Sequence, residues 1–194
     1  MSARSVKLVL LVLTGVLFVS CSPQTVSSYR FRPLGYYATA PEQTKIVVSL
    51  WDQKAWLLGK EGRVILETDV STGVPGFETP EGIFPVLERL RAKRSNRYGK
   101  YVSIESREVV IEKSWEHKGP VPPGTEYEGI LMPHWMRLTW DGVGMHEGKF
   151  RKRYRASFGC IRVHPKAQER IFNKTMVGTE VEVVAESLIE KYSW

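Results

Sequence analysis

The sequence predicts a mainly β domain, a curved sandwich or barrel-like sheet with one short helix after Cys160. Three observations carry this. From Lys45 onward, short apolar runs recur between turns marked by Gly and Pro. Six Trp and eight Tyr enrich the chain in residues that suit pleated strands. Only residues 165–173 carry a clear helical stripe. A chain of 194 residues holds one domain plus appendages and buries a core without disulfides.

The N-terminal segment stands outside that fold. Arg4 and Lys7 precede an apolar run over 8–19, broken only by Thr14 and Gly15. The run is short for a transmembrane helix and fits the core of a signal peptide. Leu17-Phe18-Val19-Ser20-Cys21 then resembles a bacterial lipobox, with Phe18 where such motifs usually carry Leu. The expectation is a lipoprotein signal peptide over 1–20, lipidation of Cys21, and a flexible tether through 43, rich in Ser, Thr, Gln and Pro. The chain has two cysteines, so lipidation of Cys21 leaves Cys160 as a single thiol in an exported protein, which marks it as a reactive candidate. A Cys21–Cys160 disulfide is the rival reading, disfavoured because Cys21 lies beside the membrane signal and far from any core pattern. The formal charge is +7, and about +5 without Arg4 and Lys7. That suits anionic partners such as wall-peptide carboxylates or a membrane surface; nucleic acid is not expected outside the cell.

The domain is expected over 44–185. Ile46, Val47, Val48 and Leu50 make a first strand, and Ala55-Trp56-Leu57-Leu58 a second. Gly59-Lys60-Glu61-Gly62 turns the chain into Val64-Ile65-Leu66, a hairpin. Thr79-Pro80-Glu81-Gly82 has turn chemistry, and the next strand follows over 83–87. Residues 88–129 mix charged residues, Gly and Pro with short apolar pieces at 101–104 and 109–111, which predicts a partly stranded excursion acting as a lid. Met136, Leu138 and Trp140 alternate with Trp135, Arg137 and Thr139 as in a half-buried strand. Asp141-Gly142 is a two-residue hairpin turn, and Val143-Gly144-Met145-His146 returns. His146 thus ends a rigid hairpin. Pro165 opens the helix, Ala167, Ile171 and Phe172 form its stripe, and Gly178-Thr179 leads to a last strand over 181–184. Residues 186–194 are a short terminal helix or a loose tail.

The informative segment is Ser157-Phe158-Gly159-Cys160-Ile161-Arg162, with His146 fourteen residues before the cysteine. Thiol chemistry needs a thiolate, and an exposed thiol at neutral pH is mostly protonated. An imidazole within reach takes that proton and later returns it to a leaving amine. Gly159 admits a substrate backbone close to the sulfur, and the N–H groups of Gly159 and Cys160 suit an oxyanion. Arg162 offers a forked donor to a carboxylate. On spacing alone a lone cysteine is more often a small buried apolar residue.

These residues resemble the L,D-transpeptidase (YkuD-like) catalytic domain family. Its signature is a histidine, a variable loop, Ser or Thr, a variable residue, then Gly-Cys followed by an aliphatic residue and Arg or Asn. Here His146 is followed by ten residues and then by Ser157-Phe158-Gly159-Cys160-Ile161-Arg162. Residues 132–139, 70–73, 78–84 and 177–181 resemble further strands of that family, so the likeness spans roughly 45–185. Phe158 stands where the family often has a second histidine.

The resemblance implies Cys160 as nucleophile, His146 as general base, and Ser157, Gly159 and Arg162 as residues that shape the site and bind substrate. It implies acylation of Cys160 by tetrapeptide stems of peptidoglycan, no cofactor and no metal, and covalent binding of carbapenems. Hydrolysis (an L,D-carboxypeptidase) or cleavage of protein–peptidoglycan links are alternative outcomes at the same site. A non-catalytic wall-binding lipoprotein is the competing class. The basic loop with Lys149, Arg151, Lys152, Arg153 and Arg155 is either a solvated rim or a docking edge for anionic stem peptides. His146-Glu147 begins like a metalloprotease helix, but Phe150 stands where a second histidine belongs. By resemblance to bacterial lipoproteins, Ser22 in place of the Asp that commonly retains them in the inner membrane favours the outer membrane, in a cell that has one.

Overall fold

A computed structural model describes residues 29–149 and 154–192. The expected signal peptide, Cys21 and part of the basic loop lie outside the described residues. The fold is mainly β, as the strand and turn pattern predicts. Its strands are β1 (Tyr29–Phe31), β2 (Lys45–Ser49), β3 (Lys54–Leu58), β4 (Val64–Ser71), β5 (Gly82–Pro85), β6 (Glu88–Ser103), β7 (Val109–Ile111), β8 (Thr125–Arg137), β9 (Gly144–Glu147), β10 (Ile161–Val163) and β11 (Glu180–Val184). Two helices join them, α1 (Pro33–Ala38) and α2 (Pro165–Lys174).

The strands form one mixed sheet in the order β5-β11-β2-β3-β4-β10-β9-β8-β6-β7, with β1 added on β4. β4 changes partners along its length. Residues Val64 to Asp69 pair with β3, and Val70 and Ser71 pair with β10. It is buried on both faces from Ile65 onward. Ile46, Leu57, Leu66 and Val70 from β2–β4 share one core with Met136, Met145, Ile161 and Val163 from β8–β10. Helix α2 covers that core with Ala167, Ile171 and Phe172, the stripe read from the sequence. Burying a side chain such as Ile171 is worth about 1.5–3 kcal/mol, so packing more than propensity holds this ten-residue helix.

Five elements differ from the sequence reading. Residues 29–43, read as tether, are built into the domain: β1 pairs with β4, and Tyr36 of α1 enters the core and donates to the Arg170 carbonyl at 3.0 Å. The excursion after residue 88 is a stranded arm, because β6 and β8 pair from Glu88–Arg137 out to Ser103–Thr125. Trp135 is buried beside Met136 instead of facing out, because His134 adopts a left-handed φ of 50° that breaks the alternation, and Trp140 leaves the strand and is 78% exposed. The turn after β8 spans Thr139 to Gly142, since Leu138 N–H donates to the Val143 carbonyl and Gly142 N–H to that of Thr139. The tail is not loose over its described part: Leu188 and Tyr192 pack against Trp56, and Asp52 accepts the Leu188 N–H at 2.7 Å.

Candidate active site

Strands β9 and β10 run parallel, and Arg162 lies in register with His146. Side chains in register on neighbouring strands share a face. Met145 and Ile161 therefore turn together into the core, while His146 and Arg162 turn together toward the opposite face. Cys160 immediately precedes β10, so its backbone is fixed by the strand that carries Arg162. Gly144 is required beside them, because a Cβ there would lie 2.5 Å from the Trp135 ring.

The loop holding Cys160 is fastened to the end of β4 and to the loop beyond it. The Thr72 carbonyl accepts the N–H groups of Ala156 and Ser157 at 2.9 and 3.0 Å. Val74 N–H donates to the Ser157 carbonyl at 3.0 Å. Buried Gln53 holds Thr72 in turn, accepting its N–H at 2.9 Å and donating to its hydroxyl at 2.7 Å. Ser157 Oγ donates to the Cys160 carbonyl at 2.5 Å. Thr79 Oγ1 donates to the Gly159 carbonyl at 2.7 Å and accepts the Gly73 N–H at 2.9 Å. Gly159 has φ +105°, a region that disfavours any side chain. Every one of these buried polar groups is satisfied, so losing one partner costs about 1–3 kcal/mol.

The hydrogen bond between His146 Nδ1 and the Glu147 carbonyl, 2.6 Å, fixes the tautomer. A carbonyl only accepts, so Nδ1 carries the proton and Nε2 is left as the base. Burial, with the Arg162 charge adding to it against the pull of the Glu147 carbonyl, lowers the His146 pKa to about 4. Burial pushes the Cys160 thiol up, opposed by the Gly144 backbone and by Arg162. Both shifts favour the neutral imidazole and the neutral thiol. The thiol points at the Gly142 carbonyl, 3.7 Å away. Arg162 is itself lowered by desolvation, and among the described residues no carboxylate pairs with it.

Cys160 lies between two clefts. One, about 420 Å³, is lined by His146, Glu147, Lys149, Ser157 and Arg162 together with Trp115 and Met132. The other, about 280 Å³, is lined by Phe77, Trp140, Gly142 and Gly159. Ser95, Tyr98, Met132 and Phe158 border both. The β6–β8 register breaks between Arg94 and Gly99, and the bulged residues bring Ser95 and Tyr98 to the clefts. Phe158 stacks on Tyr98 with ring centroids 5.0 Å apart and meets Phe77 edge-on, also at 5.0 Å. Trp115 completes this cluster at 6.0 Å.

The structure gathers Cys160, His146, Ser157, Gly159 and Arg162 around two adjoining clefts. Ser157 and Gly159 hold the loop, whereas His146 and Arg162 face the cleft. His134 bonds Glu147 and packs on Phe172, His117 bonds the Pro120 carbonyl in the arm, and His164 sits by Tyr29 outside both clefts. Sequence reasoning missed Gln53, Thr72 and Thr79 as supports and Tyr98 and Trp115 as cleft walls. Thr72 and Thr79 lie in segments that resembled the family, which was the available signal. Nothing local marks the two aromatics.

The sequence matches the L,D-transpeptidase catalytic domain over residues 43–183. The chain belongs to that family. Solved structures with the same fold include an L,D-transpeptidase from Mycobacterium smegmatis, 21% identical with a TM-score of 0.55, matched over 74% of this chain and 59% of that one. An L,D-transpeptidase in complex with imipenem is also 21% identical, TM-score 0.55, over 73% of this chain and 59% of the other. A cysteine-to-serine mutant of an Enterococcus faecium L,D-transpeptidase is 26% identical, TM-score 0.50, over 73% and 50%. This chain's domain therefore spans about three-fifths or less of the length of these relatives. No curated protein sequence matches it.

Proposed function

We propose that this L,D-transpeptidase domain joins peptidoglycan stems through an acyl-enzyme on Cys160. The observation that carries the reading is the placement of Cys160 between two clefts, since a transfer needs separate approaches for donor and acceptor. The donor, a tetrapeptide stem, enters the larger cleft, where Arg162 meets one of its carboxylates. His146 Nε2 takes the thiol proton as the sulfur attacks the carbonyl of the L-to-D bond. The carbonyl oxygen takes up the negative charge beside the Gly159 and Cys160 N–H groups. The C–N bond breaks, and His146 returns its proton to the departing D-Ala amine, leaving a thioester. An acceptor amine from the second cleft then attacks, loses a proton to His146, and displaces the sulfur, which regains the proton. Water in place of the amine gives the carboxypeptidase outcome. Arg162, which no carboxylate of the described residues pairs with, lies beside a thiol and an imidazole, and this favours catalysis over passive wall binding.

Cys21 carries the lipid that holds the domain at the outer membrane, on the strength of the lipobox-like segment and Ser22. Incubation with defined tetrapeptide muropeptides is expected to release D-Ala and form cross-links. Intact-protein mass spectrometry after carbapenem exposure is expected to show one adduct, mapped to Cys160 and missing from Cys160→Ser. An adduct on a lysine, or full turnover in Cys160→Ala, overturns the mechanism. Recovery of Cys21→Ala in the membrane fraction, unchanged from the wild type, overturns the lipid anchor.

A further inference from the structure

A groove of about 650 Å³ lies away from Cys160. Phe31, Val64 and Ile65 contribute to its apolar wall, and its charged lining residues are Arg32, Lys60 and Arg63, with no carboxylate. Helix α1 forms its rim. Leu34 and Tyr37, three residues apart on that helix and so on one face, are 88% and 73% exposed. Beyond α1, Lys166 and Arg170 border a second hollow with Glu169. Glu42 and Glu61 are the other acids adjoining this end in sequence, and five cations outnumber the three acids.

We infer that the exposed ridge of α1 and the basic groove beside it dock on the anionic surface of the bilayer that carries the chain's N-terminus. The inference rests on the anchor proposed above. Only eight residue steps separate Cys21 from Tyr29. Even fully extended they span at most about 28 Å. The first elements of the domain, β1 and α1, are therefore held within reach of the membrane, and they are the ones that present Leu34, Tyr37 and Arg32. Aliphatic and aromatic side chains enter the interfacial layer while cations meet lipid phosphates. The orientation has a consequence for the active site. The groove lies at the start of β4, by Val64 and Ile65, and the cleft lies at its end, where Ser71 pairs with Arg162. Six residues of strand put these about 20 Å apart. Docking thus turns the cleft away from the lipid.

The test is hydrogen-exchange mass spectrometry on the full chain, processed in cells, purified from the envelope and reconstituted on vesicles. Phosphatidylcholine vesicles are compared with vesicles that also contain phosphatidylglycerol. Slower exchange over residues 30–39 and 60–65 is expected only with the anionic lipid, and lost in high salt. Each cation near such a surface strengthens association roughly fivefold, so Arg32→Gln with Arg63→Gln should lower the protection roughly 25-fold. Leu34→Ser should also weaken it, with exchange in β2 and β3 unchanged as a check of the fold. Protein that sediments with both vesicles but exchanges alike on them overturns the docking face and leaves the anchor standing. Protein that stays in the supernatant overturns both. Equal protection by soluble glycerol phosphate identifies a small-anion pocket and overturns membrane docking.

Discussion

The wall that carries Cys160, His146 and Arg162 and the arm that overhangs it are both β structure, yet different forces hold them. In the wall, β4, β9 and β10 are largely buried, and hydrogen bonds through Gln53, Thr72, Ser157 and Thr79 fasten residues 156–160 to the end of β4 and the loop after it. The arm meets that loop through ring contacts of Tyr98 and Trp115 on Phe158. Its inner edge keeps Ile130 and Leu131 half exposed, at 51% and 46%. Hydrogen bonds to buried groups are directional and costly to break, whereas ring contacts tolerate sliding. Cys160, His146 and Arg162 thus sit on the part held by buried hydrogen bonds, and part of the cleft border sits on the part joined to it by ring contacts.

The largest expected effect tests the wall. His146→Ala should lower kcat by about 10² to 10⁴, the usual worth of a positioned general base, while far-ultraviolet circular dichroism stays unchanged. Because the histidine titrates near 4, the acid limb of kcat/KM should lie near pH 4 and not near 6.5. A limb near 6.5 would show that the imidazole is not the buried group described here.

The same shift makes a stability prediction. The unfolded chain takes up the His146 proton near pH 6.5, and the folded chain only near 4. Stability from this site is therefore complete above about 6.5 and is lost as pH falls toward 4, by up to about 3 kcal/mol. Urea unfolding at pH 7 and 5 should show the loss, and His146→Gln should flatten it. Thr79→Val comes next. It removes the donor to Gly159 and the acceptor for Gly73, so about 1–3 kcal/mol of stability should go, and turnover with it. Unchanged stability in this variant would mean that the loop does not depend on its fastening.

The wall was more legible in the sequence than the arm, and the reason is physical. His146, Ser157, Gly159, Cys160 and Arg162 are legible because together they match the signature the sequence resembles, where spacing alone would leave a lone cysteine ambiguous, and short apolar runs mark β2, β3 and β11. The arm carries exposed charges on both faces, so β6 shows no period of two, and residues 88–129 read only as an excursion. Residues 29–43 carry no core pattern in the sequence because Tyr36 is a single buried anchor among exposed neighbours in α1. Trp135 defeated the alternation because a left-handed residue inside a strand leaves no mark in composition. Gln53 and Thr79 act on residues 19 to 80 positions away, a relation that no local motif records.

The smallest effect decides whether the arm matters to function at all. Phe158 is 40% exposed, and aromatic pairs contribute about 0.5–1.5 kcal/mol each, so Phe158→Ala should cost little stability. Its effect should fall on substrate handling, because the ring stands at the border of both clefts and ties Tyr98 to the Cys160 loop. KM for the donor stem should rise several-fold, with the first-turnover rate of Cys160 acylation by a small carbapenem almost unchanged. Tyr98→Ala should reproduce this split, since it removes the other face of the same contact. Phe158→Leu should restore part of the loss, because it keeps apolar bulk without the stacked ring. A fall in kcat of the size seen for His146→Ala, with KM unaltered, would mean that Phe158 belongs to the fixed wall, and the division drawn between wall and arm would fail there.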